Sequence, residues 1–211
     1  MFRKSLFRLA FFGLLAALPE AVAEARQVTI VAFGDSNTAG FLTATEETYP
    51  FRLEKMLRAK GHDVRVKNSG VSGSTSGGGL ARMDSAVPPG TDIAIVFFGR
   101  NDIRFGIGEA KLRQNLDIMM GKLRERKIAA VLCGYYGFDF GDIARKHGAV
   151  YFPDFFAGTA VEGVKKPEYT RMIDPFRHLN GAGYAVVAEA MLPVVERLVV
   201  RAGGRRAPTA Q

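Results

Sequence analysis

Residues 33–40 read Phe-Gly-Asp-Ser-Asn-Thr-Ala-Gly, and Ser36 at their centre is a candidate nucleophile. A serine hydroxyl attacks an ester carbonyl efficiently only when a base takes its proton and fixed donors hold the developing oxyanion. The chain offers three histidines for the base. His62 sits in the turn Gly61-His62-Asp63, away from any predicted site. His147 lies in Arg-Lys-His-Gly, at a helix C-terminus where a cation complements the dipole without catalytic work. His178 stands just before Asn180-Gly181-Ala182-Gly183, with Asp174 four positions back. An aspartate held beside a histidine fixes its tautomer and stabilises the imidazolium, the orienting role in a triad. Oxyanion donors are available from the backbone N–H of Ser36, the N–H of a loop glycine (Gly70 or Gly73) and the amide of Asn101. Each has a plainer use: the glycines permit positive φ in a turn, and Asn101 caps the segment after it.

These residues do chemistry only if the chain's elements bring them together. Val28–Phe33 is an apolar, β-branched run that stops at Gly-Asp-Ser, as a buried strand ending in a tight turn does. Pro50–Lys60 places Phe51, Leu53, Met56 and Leu57 on one side of a helix, with Thr48 as N-cap and Gly61 past the end. Val64, Val66 and Asn68 mark a second strand, followed by the small-residue loop Asn-Ser-Gly-Val-Ser-Gly-Ser-Thr-Ser-Gly-Gly-Gly and a short helix over Leu80–Ala86. Ile93–Phe98 is continuously apolar, hence a buried parallel strand. A helix over Lys111–Arg126, a strand over Ile128–Leu132, a short helix over Gly141–Lys146 and a strand over Val150–Phe152 follow. The last helix, Asn180–Val200, is apolar nearly all round. Strands alternating with helices imply a three-layer α/β/α sandwich on a parallel sheet, although strand order is not visible in the sequence. Loops after the first three strands converge on the sheet's carboxyl edge, where open α/β sheets place ligands. Phe-Gly-Asp-Ser-Asn, Gly-Val-Ser-Gly-Ser, Phe-Gly-Arg-Asn-Asp and Asp-Pro-Phe-Arg-His are therefore predicted neighbours.

The 211 residues are 47% hydrophobic and 24% charged, enough for one core, and no internal repeat or long linker divides them. Residues 1–23 have their own pattern. Arg3, Lys4 and Arg8 precede the apolar stretch Leu9–Leu18, and Ala21-Val22-Ala23 closes it, as in a secretory signal peptide cleaved after Ala23. This divides the chain into a leader at 1–23, one domain at 24–200 and a basic tail at 201–211, and it places the mature protein outside the cytoplasm, in the periplasm. Losing three basic residues and Glu20 with the leader lowers the net charge from +8 to +6. Such a balance suits contact with an anionic membrane surface or an acidic substrate, and equally a solvated surface with a basic tail. No interleaving of basic and aromatic residues argues for nucleic acid. Cys133 is the only cysteine, so no intrachain disulfide forms, and Ala-Ala-Val-Leu-Cys-Gly places it in a buried strand.

Together, FGDSNTAG, NSGVSGSTSGGGLARM, FGRND and DPFRHLNGAGY resemble, in order, the four blocks of the SGNH (GDSL) hydrolases. The resemblance runs from about Val28 to Val200 and is nearest to the periplasmic arylesterase, thioesterase and lysophospholipase branch. It implies a flavodoxin-like fold with about five parallel strands, and no metal or cofactor. It implies Ser36 as nucleophile, with oxyanion donors at the Ser36 and Gly73 N–H groups and the Asn101 amide. Gly73 matches because it stands five residues after Asn68. The implied base is His178, oriented by Asp174, and the implied substrate is a small-molecule or lipid ester or thioester. Three departures bear on this. Pro175, Phe176 and Arg177 put three residues between Asp174 and His178 where the family usually has two, so either the loop bulges to restore contact or a Ser–His dyad remains. Arg100 replaces a glycine usual in that branch, and the stretch from 134 to 148 is shorter than its counterpart. The alternatives are a carbohydrate O-acetylesterase and a catalytically weak acyl- or glycan-binding pseudoenzyme. Nucleotide binding by Ser-Gly-Ser-Thr-Ser-Gly-Gly-Gly is disfavoured, since no phosphate-loop lysine follows.

Overall fold

The computed structural model describes residues 26–134, 137–161, 164–170 and 178–203. Residues 1–23, Asp174 and most of the basic tail lie outside them. Five parallel strands form one sheet: β1 (Val28–Gly34), β2 (Val64–Gly70), β3 (Ile93–Phe97), β4 (Ala129–Cys133) and β5 (Val150–Phe152). Their order is β2-β1-β3-β4-β5, the doubly wound flavodoxin-like arrangement. β1 and β3 read as apolar runs because helices cover both their faces, whereas β2 lies at an edge and is half exposed.

Side chains alternate across the sheet, so each strand feeds two cores. Ile30, Ala32, Ile93, Ile95 and Phe97 face helices α2 (Tyr49–Ala59) and α7 (Gly181–Arg201), meeting Leu53, Leu57, Val187 and Met191. Val31, Phe33, Ala94, Val96 and Phe98 face α3 (Ser76–Ala86), α5 (Glu109–Glu125) and α6 (Gly141–His147). The register sets the level of the functional edge: Gly34 at the end of β1 pairs with Gly70 of β2 and Phe97 of β3. The loops leaving these three strands therefore start side by side.

Several local expectations change. Gly34 leads not into a turn alone but into a one-turn helix, α1 (Ser36–Ala39), and a second short helix, α4 (Arg100–Arg104), follows β3. The glycine-rich loop is already helical from Ser76, because Thr75 caps it by accepting a hydrogen bond from the Gly78 N–H at 3.1 Å. Thr48 precedes α2 without capping it; its hydroxyl donates to the Thr45 carbonyl at 2.8 Å instead. α7 buries one face, including Tyr184, Val187, Met191 and Val195, and leaves the other partly open. Two-residue strands β6 (Ala160–Val161) and β7 (Val164–Lys165) pair antiparallel, too short to register as a pattern in the sequence. No described helix is long and apolar enough to cross a membrane.

Candidate active site

Ser36 is the first residue of α1, at the crossing point where the chain leaves β1 with β2 on one side and β3 on the other. Asp35 caps this helix: its Oδ1 accepts from the Asn37 N–H at 2.8 Å and from Asn37 Nδ2 at 3.2 Å. At the other end Gly40 adopts the left-handed conformation and returns its N–H to the Ser36 carbonyl. The serine is thus fixed by caps on both sides rather than held on a mobile loop.

His178 arrives just before α7, whose N-cap Asn180 accepts from the Gly183 N–H at 3.0 Å. His178 Nε2 lies 2.8 Å from Ser36 Oγ, and both groups are buried. In the tautomer whose Nε2 accepts, the serine O–H donates to the imidazole, the arrangement a general base requires. The Phe41 ring packs against the imidazole at 4.9 Å between centroids. The other histidines bind carboxylates elsewhere: His62 Nε2 sits 3.0 Å from Glu196 and His147 Nε2 2.8 Å from Asp117.

A cavity of about 480 Å³ opens at Ser36, and His178, Gly73 and Asn101 line it as well. This size suits a small-molecule ligand. The two candidate glycines separate here. The Gly70 N–H is engaged by Asn68 Oδ1 at 2.9 Å, and a Cβ at Gly70 would lie 2.1 Å from the Ala39 nitrogen. Gly70 is therefore a close-packing glycine against α1. Gly73 adopts φ +78° on the cavity wall with open space around it. One N–H of the Asn101 amide donates to the Ser74 carbonyl at 2.9 Å, which orients the side chain and leaves a second N–H.

The supporting contacts were not read from the sequence. Asp102, fully buried, accepts from the Ser76 N–H at 2.9 Å and from Ser76 Oγ at 2.5 Å, and Asn115 Nδ2 donates to that same hydroxyl at 2.8 Å. This chain ties α4, and with it Asn101, to α3 and α5. Arg82 donates to the Gly34 carbonyl at 2.8 Å and to the Ser69 carbonyl at 2.9 Å, while its guanidinium lies 4.7 Å over the Phe33 ring. It clamps the ends of β1 and β2 immediately before the nucleophile and the glycine loop. Arg104 and Ser72 also line the cavity, as does Arg100. Of the apolar candidates for an acyl site, Phe41 lines the cavity, whereas Leu42, Phe105 and Ile107 are exposed on the neighbouring loops.

Burial dominates the electrostatics of Asp35. Desolvation pushes its carboxyl up to about 6, against the opposing effects of its Asn37 hydrogen bonds and the charges of Arg100 and Lys165. Among the described residues nothing donates to its second oxygen. No group of three or more His, Cys, Asp or Glu side chains among the described residues is placed to hold a metal ion.

Comparison with known proteins bears on what this geometry does. The model of the GDSL-like Lipase/Acylhydrolase family matches residues 32–186. Esterase TesA of Pseudomonas aeruginosa is 35% identical over 112 residues, covering 53% of this chain and 56% of the relative. An arylesterase of Vibrio mimicus is 31% identical over 121 residues, covering 57% of this chain and 58% of the relative. The matches span little more than half the length of these curated relatives. Among solved structures, the crystal structure of TesA superposes with a TM-score of 0.69 at 28% identity, covering 81% of this chain and 99% of that one.

Proposed function

Because the chain belongs to the GDSL-like lipase/acylhydrolase family, a family of ester hydrolases, we propose that it is a serine esterase acting on carboxylic esters or thioesters. One observation carries the mechanism: the 2.8 Å contact between Ser36 Oγ and His178 Nε2, made by residues 142 positions apart. Nothing in local folding brings such residues together, and a hydroxyl on a basic nitrogen is what nucleophile activation needs.

In the proposed reaction Ser36 Oγ attacks the acyl carbonyl carbon while its proton passes to His178 Nε2. The carbonyl π electrons move to oxygen, and the oxyanion accepts from the Ser36 and Gly73 N–H groups and the second amide N–H of Asn101. The intermediate collapses, His178 protonates the departing alkoxide or thiolate, and an acyl-serine remains. Water, deprotonated by His178, then attacks the acyl carbonyl carbon; the bond to Ser36 Oγ breaks, His178 returns the proton to Oγ, and the acid leaves. Asp174, outside the described residues, is the proposed orienting carboxylate for His178. Removal of a leader after Ala23 delivers the mature domain to the periplasm, where its substrates are small-molecule or lipid esters.

The test is hydrolysis of 4-nitrophenyl acetate through decanoate by the mature protein beside Ser36→Ala and Asp174→Ala. Ser36→Ala is expected to lower kcat by at least about 10³-fold, with loss of labelling by a fluorophosphonate probe. A large loss in Asp174→Ala identifies a triad, and retained turnover there identifies a Ser–His dyad. Full activity in Ser36→Ala overturns the mechanism. Absence of fluorophosphonate labelling in the wild type favours a binding protein instead. Faster turnover of acetylated sugars than of aryl esters would make it a carbohydrate O-acetylesterase.

A further inference from the structure

The wall of the active-site cavity is asymmetric in charge. Arg100 and Arg104 both line it, whereas no carboxylate among the described residues does. The two arginines stand four positions apart on α4, one turn of helix, so both can serve one side of the cavity. The two residues between them that are buried, Asn101 and Asp102, anchor the helix through Ser74 and Ser76. The arginines are therefore carried on a fixed element, beside the amide proposed to hold the oxyanion.

Among the described residues the Arg100 side chain makes no hydrogen bond that would give it a structural duty. It belongs to none of the ion pairs among the described residues, unlike Arg26 with Asp92 or Arg113 with Asp142. Its charge reaches Asp35, but that carboxylate is fully buried and already held by Asn37. A guanidinium is a planar fork that fits a carboxylate or phosphate through two parallel N–H···O bonds. Arg100 is exposed at the cavity rim, so its charge acts on a bound anion and is open to screening by salt.

Resting on the ester-hydrolase reading, we propose that the preferred substrate is an ester carrying a carboxylate or phosphate close to the scissile bond, bound by Arg100 with Arg104. The anionic group belongs either to the acyl chain, as in a dicarboxylic half-ester, or to the departing alcohol, as in a phosphorylated one. The recognition chemistry is the same in both cases.

The experiment compares kcat/KM for matched esters. Mono-4-nitrophenyl adipate against 4-nitrophenyl hexanoate places the charge on the acyl side. 4-Acetoxyphenyl phosphate against phenyl acetate places it on the alcohol side. Each pair is measured for wild type, Arg100→Gln, Arg104→Gln and, as a distant control, Arg65→Gln. The anionic member of one pair is expected to be favoured about tenfold, as for a charge-assisted hydrogen-bonded pair. That preference should shrink between about 20 mM and about 500 mM salt. It should fall to near unity in Arg100→Gln, fall partly in Arg104→Gln and persist in Arg65→Gln. The pair that shows it identifies the side of the bond. Turnover of the neutral esters with no anionic preference overturns the inference and leaves the esterase standing. A preference that survives Arg100→Gln, or equal losses on all four esters in that variant, also overturns it, since the arginine would then act on the oxyanion or on folding. Hydrolysis of none of the four esters overturns the esterase reading and this inference with it.

Discussion

Asp35 stands next to the nucleophile and yet is buried with one oxygen bonded to Asn37. Its carboxyl is pushed up to about 6 by burial, from an ordinary value of 3.8. Between those values the folded chain binds a proton that the unfolded chain has released, so this group's contribution to stability falls as pH rises through the window. Below it both states are protonated, and above it both are ionised with the folded-state penalty fully present, in all about 3 kcal/mol. Asp35→Asn keeps an acceptor for the Asn37 N–H and removes the charge. The variant is expected to melt higher than wild type at pH 7.5, with the difference shrinking towards pH 4, as followed by circular dichroism. A gap that widens on acidification would contradict the assignment. Reading the sequence by side-chain type singled out Ser36, His178 and Asn101, which line one cavity, but left Gly70 and Gly73 open, because a backbone N–H is not a side-chain type; the family resemblance selected Gly73, which lines the same cavity. Neither reached Ser72, Arg104 or the Asp102–Ser76–Asn115 chain, because which side of a five-residue helix faces a cavity is decided by packing rather than by type.

At the scale of elements, the last glycine of β2 and one in the loop after it separate packing from conformation. A Cβ at Gly70 would meet the backbone of α1, 2.1 Å from the Ala39 nitrogen and 2.6 Å from the Thr38 carbonyl carbon, and neither can yield without moving Ser36. At Gly73 the space is open and only the φ of +78° opposes a side chain. Gly70→Ala is therefore expected to cost about 3 kcal/mol or more and to lower kcat with it. Gly73→Ala should cost about 1–2 kcal/mol, the strain of a left-handed alanine. Chemical denaturation of both variants checks the order. Long elements were legible because burial on two faces forces continuous apolar strands, and one-sided packing forces helical periodicity in α2 and α5. The short helices α1 and α4 were not, since one turn carries no period and rests on caps and neighbours. The first turn of α3 was hidden because three glycines in a row argue against a helix; at Gly79 the reason is tertiary, since a Cβ there would press on the Phe98 ring at 2.5 Å.

For the whole molecule, Cys133 reports on global opening. It lies inside β4, fully buried in the core shared with α7, and burial pushes its thiol well above the ordinary range. A thiol reagent is expected to label the native protein at least about 10³-fold more slowly than the unfolded chain, with a rate that follows stability across variants. Rapid labelling of the folded protein would mean that the sheet opens locally. Strand order was invisible in the sequence for a related reason: it depends on which long crossover the chain makes, and each crossover is right-handed whichever strand comes next. The same topology places the proposed nucleophile near the start of the fold and its base near the end, 142 residues later. At ordinary rates of synthesis, roughly 7 to 30 seconds pass between the two leaving the ribosome. Throughout that interval, and in any fragment cut between them, the serine is an ordinary alcohol. On the proposed mechanism the nucleophile is thus armed only once His178 has been made and folded beside it, 142 residues later, and no partial chain that stops before His178 can act as the proposed esterase.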